Sequence, residues 1–213
     1  MRSGAGFGLG RRGFLGLGGA AWAVASTAGI AGCTSPEPNY FTLRAVPGMA
    51  QAGTSQAGTS QPGVMRVVEL RRIGLAGYLD RPEIVRNNAE YRLSIGTNER
   101  WGEPLGNLVA RVLAEDLTLR LPGTSVFTSA GSISVEPDAV LEIDVQRFDA
   151  DANGQVVLLA QVAVRRTRTR AAAGARTIRL MVVPGGGATP DLVAAMSAAL
   201  GQLADQIVPL LRG

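Results

Sequence analysis

Apolar residues along this chain recur with two different periods, and the change from one to the other marks out its elements. Tyr40-Phe41-Thr42-Leu43-Arg44-Ala45 is rich in aromatic and β-branched side chains and predicts a strand. Met65 to Ile73 alternates, with Met65, Val67, Glu69 and Arg71 on one side and Val68, Leu70 and Arg72 on the other. Gly74 and Gly77 flank a turn, and Leu79 to Val85 predicts the next strand, placed at a sheet edge by Pro82. Asn87-Asn88 predicts a hairpin turn into the half-buried strand Tyr91-Arg92-Leu93-Ser94-Ile95.

The period then lengthens. Leu105, Leu108, Val109, Val112, Leu113 and Leu117 recur at spacings of three and four, so Pro104 opens a helix with one apolar face. Arg111, Glu115 and Asp116 fall off that face, and Pro122-Gly123 ends the helix. A short strand near Val126-Phe127 follows, and then a long one in which Leu141, Ile143 and Val145 oppose Glu142, Asp144 and Gln146. Asn153-Gly154 is a hairpin signal, and Gln155 to Arg170 is the long return strand. After the small-residue turn Ala171 to Ala175 comes a further strand, Thr177 to Val183. The last helix has Thr189 as its expected N-cap, Pro190 as its first residue and Asp191 at the positive end of its dipole. Its stripe is Leu192, Val193, Met196, Leu200, Leu203, Ile207 and Leu210. Two helices for a larger sheet predict an α+β two-layer sandwich, mostly antiparallel, with both main helices on one face.

Two stretches stand outside this pattern. Residues 47–63 hold the immediate repeat Gln51-Ala52-Gly53-Thr54-Ser55 and Gln56-Ala57-Gly58-Thr59-Ser60, bracketed by Pro47-Gly48 and Pro62-Gly63. With nothing there to anchor a core, this reads as a flexible low-complexity insertion between strands. The other is the N-terminus. Arg2, Arg11 and Arg12 precede an uncharged run from Phe14 to Ile30 that is too short to span a bilayer and has the flanks of an export signal. Arg11-Arg12-Gly13-Phe14-Leu15 resembles a twin-arginine signal, and Sec export would serve equally well.

Ile30-Ala31-Gly32-Cys33 closes that run and resembles a bacterial lipobox, in which the cysteine sulfur takes a diacylglyceryl group before cleavage. The expected organisation is a signal peptide over 1–32, a lipidated tether over 33–39 and one domain over 40–213. Cys33 is the only cysteine, so it has no disulfide partner within the chain. Acyl chains such as palmitate add about 0.8 kcal/mol per buried CH₂, and two or three chains would hold the protein at a membrane essentially for good. Thr34, where an aspartate would retain the protein at the inner membrane, points to the periplasmic face of the outer membrane.

Composition narrows the chemistry. Three of the 21 arginines lie within residues 1–32 and all 17 acids lie after them, so the mature chain carries a net +1. That balance does not suggest nucleic-acid binding. The chain has no histidine, which removes Ser-His-Asp and Cys-His nucleophiles, histidine metal sites and histidine pH switches. It also has no lysine, which removes Ser-Lys dyads and Schiff bases. No cofactor or metal is expected, and the chain is read as not an enzyme.

Residues 75–121 carry a resemblance. Tyr78-Leu79-Asp80-Arg81-Pro82-Glu83-Ile84-Val85, Trp101-Gly102-Glu103-Pro104-Leu105 and Val112-Leu113-Ala114-Glu115-Asp116-Leu117 follow in that order. With Val145-Gln146-Arg147-Phe148-Asp149 further on, the chain resembles the ABC-type transport auxiliary lipoproteins of the PqiC type. The repeat at 51–60 and Gly102 in place of the usual alanine are its departures. The resemblance implies a periplasmic lipoprotein that works with an MCE-domain protein in moving lipid between two membranes, without catalysis of its own. Docking would then fall to Asp80, Arg81 and Trp101, as a partner surface or as its bracing. The competing internal reading has Asp80 and Arg81 capping a turn and Trp101 plugging the sheet beside the first helix. A homo-oligomer is compatible with the sequence.

Three further patterns carry candidate chemistry. Arg166, Arg168 and Arg170 share one side of a strand end, as an anionic contact or as charges that discourage edge pairing. Gly185-Gly186-Gly187 precedes a helix, but its spacing matches no phosphate loop. Glu142 and Asp144 lie two apart on one strand face, as a carboxylate pair for glycoside hydrolysis in an envelope hydrolase or, far more commonly, as alternating acids on an exposed strand. The rival reading in another class is a structural outer-membrane lipoprotein that supports envelope assembly without lipid traffic.

Overall fold

The computed structural model describes residues 37–48, 65–89, 91–132, 135–167 and 175–212. They form β1 (Asn39–Phe41), β2 (Val67–Leu70), β3 (Gly74–Leu75), β4 (Glu83–Ala89), β5 (Arg92–Trp101) and α1 (Leu105–Arg120). β6 (Ser125–Thr128), β7 (Ala139–Ala150), β8 (Val156–Arg166), β9 (Arg176–Val182) and α2 (Thr189–Arg212) complete the order. All of them belong to one compact unit, Pro36–Gly213.

β7 is the spine. One edge pairs antiparallel with β8 along nearly its whole length, and β8 pairs antiparallel with β9. The other edge takes a single run of chain in three steps: β2 at Ala139–Leu141, β3 at Asp144–Val145, and β4 at Ala150, all parallel to it. The sheet therefore forks. β6 adds to β2 at one end, while β5 and then β1 add to β4 at the other. The long ladders are antiparallel and the parallel ones short, which gives the expected mostly antiparallel α+β fold.

Val68, Leu70, Leu141, Ile143, Val145, Val162 and Val164 form a buried sheet face that shares one apolar cluster with the stripes of both helices. α2 is long and apolar enough to cross a bilayer, but its stripe is buried in this cluster, so its hydropathy serves the core. In that stripe Leu211 is buried and Leu210 only partly so.

Several expectations shift by a few residues, each for a local reason. The first strand ends at Phe41, after which Leu43 turns into the core and the chain leaves the sheet as a strap. Pro82 precedes β4 rather than sitting inside it, and β4 is flanked by β5 and β7, so it is no edge. Asn87 continues that strand; the turn comes later, with Ala89 opposite Arg92 and Tyr91 in the left-handed region at φ 61°. Leu121 caps α1 and Gly123, at φ 86°, turns the chain out of it. The register slips between Val145 and Arg147, leaving Gln146 as the extra residue of a bulge. Past it, Phe148 and Ala150 take over the buried positions.

Thr189 is not the cap of α2. The Ala188 carbonyl accepts the first helical bonds, from Asp191 and Leu192, and the Asp191 carboxylate accepts the Ala188 N–H at 3.3 Å. Ala188 is thus the N-cap, and Asp191, three residues on, closes half of a capping box.

Candidate functional site

The segment common to the sequence motifs is the turn before β4. Leu79 is buried and holds the turn to the core, while Asp80 is exposed and Arg81 half-buried beside it. The turn is closed by the Arg81 N–H to the Leu79 carbonyl at 2.9 Å. The Trp101 N–H donates to the Pro82 carbonyl at 2.7 Å, joining the end of β5 to the same turn. Trp101 itself is only 4% exposed, so it braces this region from inside and presents no surface. Asp80 lines a cleft of about 350 Å³ with Arg72, Gly74, Pro104 and Asn107, at the start of α1. Among the described residues, the Arg81 Nε is buried without a hydrogen-bond partner.

Under the neighbouring strand, Tyr78 donates from its hydroxyl to Asp149 Oδ2 at 2.6 Å, and Arg147 Nε holds the other oxygen at 3.0 Å. Burial, followed by the hydrogen bond and charge of Asp149, pushes the Tyr78 pKa well up, so the phenol stays a donor. This locks the turn onto β7.

Arg166 lies elsewhere. It ends β8 opposite Ala139, at the start of β7, where Thr167 closes the strand through bonds to Asp138 and Pro137. Arg168 and Arg170 lie outside the described residues, as do the lipobox Ile30, Ala31, Gly32 and Cys33 and the repeat at 51–60. The structure thus brings Asp80, Arg81 and Trp101 together and sets Arg166 apart from them. Glu142 is committed to Arg71 at 2.8 Å and lies 3.9 Å from Arg165. Asp144 presses on Gly74, where a Cβ would come 2.5 Å from its Oδ1. Among the described residues, no cluster of three acidic, cysteine or histidine side chains could hold a metal.

Two polar networks escaped the sequence reading. In the first, α1 grips the strap that follows β1. Asp116 Oδ1 accepts the Val46 N–H at 2.8 Å, and Arg120 Nη1 donates to the Val46 carbonyl at 2.9 Å. The two side chains pair at 3.1 Å, and Arg120 Nε reaches Asp205 of α2 at 2.7 Å. Gly48 and Gly201 give Arg120 the room, since a Cβ at either would lie 3.2 Å from its side chain. Asp116 was expected off the apolar face but is 0% exposed. Burial pushes its pKa up from 3.8 to about 6 against the opposing pull of the Val46 N–H and Arg120. In the second network, Arg86 Nη2 donates to Thr189 Oγ1 at 2.5 Å and Glu99 at 3.3 Å, and the Thr189 hydroxyl also bonds Glu99. These residues line an open groove of about 920 Å³ between β5 and the start of α2. The hydroxyl expected to cap α2 is spent here instead.

Residues 46–208 match the family described as the ABC-type transport auxiliary lipoprotein component. The chain belongs to that family. Its fold is shared by the crystal structure of an uncharacterized protein, with a TM-score of 0.65 and 18% identity over 83% of this chain and 99% of that one. A crystal structure from Xanthomonas campestris is similar at a TM-score of 0.61 and 16% identity, covering 80% and 92%. At such identities the likeness is one of fold alone. Comparison with curated proteins gives no match. The match to the transport auxiliary lipoprotein family begins at Val46, the residue that Asp116 and Arg120 hold.

Proposed function

We propose that the protein is a lipid-anchored, non-catalytic accessory subunit of an MCE/ABC-type system that moves lipid between membranes. Residues 1–32 are its signal peptide, and Cys33, acylated, ties it to the periplasmic face of the outer membrane. The globular part docks an MCE-domain protein. The observation that carries this reading is the match of residues 46–208 to the auxiliary lipoprotein family. The chemistry of the chain agrees, because it has neither histidine nor lysine and Glu142 is spent on an ion pair. The docking surface is the turn at Asp80 and Arg81, with Trp101 as its internal brace. Asp80 is exposed beside the start of α1, and Arg81 is half-buried next to it. Arg166, Arg168 and Arg170 supply a separate anionic contact.

The test is a pull-down from native membranes in mild detergent, with the wild type, Cys33→Ser and Asp80→Asn/Arg81→Ser compared. The wild type should fractionate with outer membranes and bring down an MCE-domain protein. Cys33→Ser should be released to the periplasm, and the double variant should stay in the membrane but lose the partner. An unacylated wild type, or one that recovers no transport protein, would overturn the reading.

A further inference from the structure

The β4–β5 hairpin ends in an aromatic residue that gains nothing from the fold. Tyr91 is fully exposed and sits at φ 61°, a region a bulky side chain occupies only at a cost in strain. Leu93 and Ile95 follow it, 42% and 43% exposed. They alternate with Ser94, whose partner Arg86 reaches α2, so they lie on the face away from that helix. Met181 and Val183, 51% and 71% exposed, lie at the same end of the sheet, because Val182 pairs with Val156 and Val156 with Ala150. The exposed apolar side chains of these strands therefore gather at one end.

That end is also where the chain enters. β1 runs parallel to β5, with Asn39 opposite Glu99, so the residues before Asn39 approach from the side of the hairpin tip. Cys33 and Asn39 are six residues apart, a span of at most about 22 Å. The tip stands ahead of Asn39 by less than the run of residues suggests, because β5 bulges against β4: Arg92 to Arg100 is matched by the six steps from Ala89 to Glu83, at most about 20 Å. A leash of about the same length as that projection keeps the tip within reach of the surface that holds the leash.

The geometry points to the β4–β5 tip as a second membrane contact, with Tyr91 and Leu93 seated in the lipid interface beside the acylated cysteine. The occupant is the bilayer and not a protein. Tyrosine suits the position because its ring is apolar and its hydroxyl stays at the headgroup level. Met181 and Val183 then face the same surface, and the sheet stands end-on to the membrane. This inference rests on the anchoring at Cys33 proposed above.

Cys33 is the only cysteine and its sulfur is already acylated, so a single new thiol can carry a probe. The lipidated full chain with Leu93→Cys, and separately with Val135→Cys ahead of β7, is labelled with an environment-sensitive fluorophore. Each is reconstituted in phosphatidylethanolamine–phosphatidylglycerol vesicles, with and without brominated lipid. The expected result is blue-shifted emission at position 93 that brominated lipid quenches severalfold more than at position 135. Adding Tyr91→Ser should shift the probe at 93 back toward its emission in water. If the protein floats with the vesicles while both positions stay aqueous and unquenched, the tip contact is overturned and the anchoring stands. Blue-shifted emission that brominated lipid leaves alone would mean a second protein copy covers the tip, and would also overturn it. Protein that fails to float refutes the anchoring, and the tip contact falls with it.

Discussion

Protonation of Asp116 ties folding to pH in a definite direction. Its folded pKa, about 6, lies above the ordinary 3.8, so the folded state binds the proton more tightly than the unfolded chain. Between those two values stability falls as pH rises, and above about 6 the penalty is constant at about 3 kcal/mol. Oδ2, buried without a partner among the described residues, is the oxygen left to take the proton. Asp116→Asn should therefore flatten the dependence between pH 4 and pH 6. Urea midpoints of both proteins at pH 4.5 and pH 7 check this; equal slopes with pH would show that the charged form suits the site. Arg120 and Asp205 still set the geometry of the strap, so the variant should keep the fold.

At the scale of elements, the capping of α2 makes a prediction the sequence alone would have misplaced. Asp191→Ala removes the bond to the Ala188 N–H and a favourable charge at the helix start, a cost of about 0.5–1.5 kcal/mol. Gly186→Ala would set a Cβ 2.5 Å from Asp191 Oδ2 and break the same contact from the other side. A double-mutant cycle should find the two losses far from additive; full additivity would mean that the glycine acts on its own. Both helices and the long strands were legible in the sequence because their apolar periods run unbroken over many residues. What stayed hidden had no period to show. β3 is only two residues long, the bulge at Gln146 is one extra residue, and Asp116 sits where a charged residue on α1 normally meets water. Thr189 was misread because threonine at a helix start is usually a cap, and here a distant arginine and glutamate claim its hydroxyl. In the candidate site the Asp80-Arg81 turn could be read from the motif, whereas the Val46 clamp and the Glu99 groove depend on long-range contacts that no local pattern records.

For the molecule as a whole, the fork in the sheet raises the question of whether its arms fold independently. The single apolar cluster beneath them says they do not. Trp101 belongs to the β4–β5–β1 arm but is buried in that common core. Trp101→Ala should cost about 3–5 kcal/mol and lower one cooperative unfolding transition, with far-UV and near-UV signals moving together. Two separate transitions would mean that the arms are distinct units, and a loss below about 1 kcal/mol would return Trp101 to the surface.

The parallel pairing of β1 with β5 has a mechanical side. Tension on the residues before Asn39 acts along the strand, so it loads the bonds from Asn39 to Phe41 in shear, all at once rather than one by one. Behind them Leu43 is lodged in the core and Val46 is gripped from both sides of its peptide. A tug on the leash is thus shared among several fastenings in series before it reaches the helices, and the globular part can be pulled against its mooring without coming undone from that end.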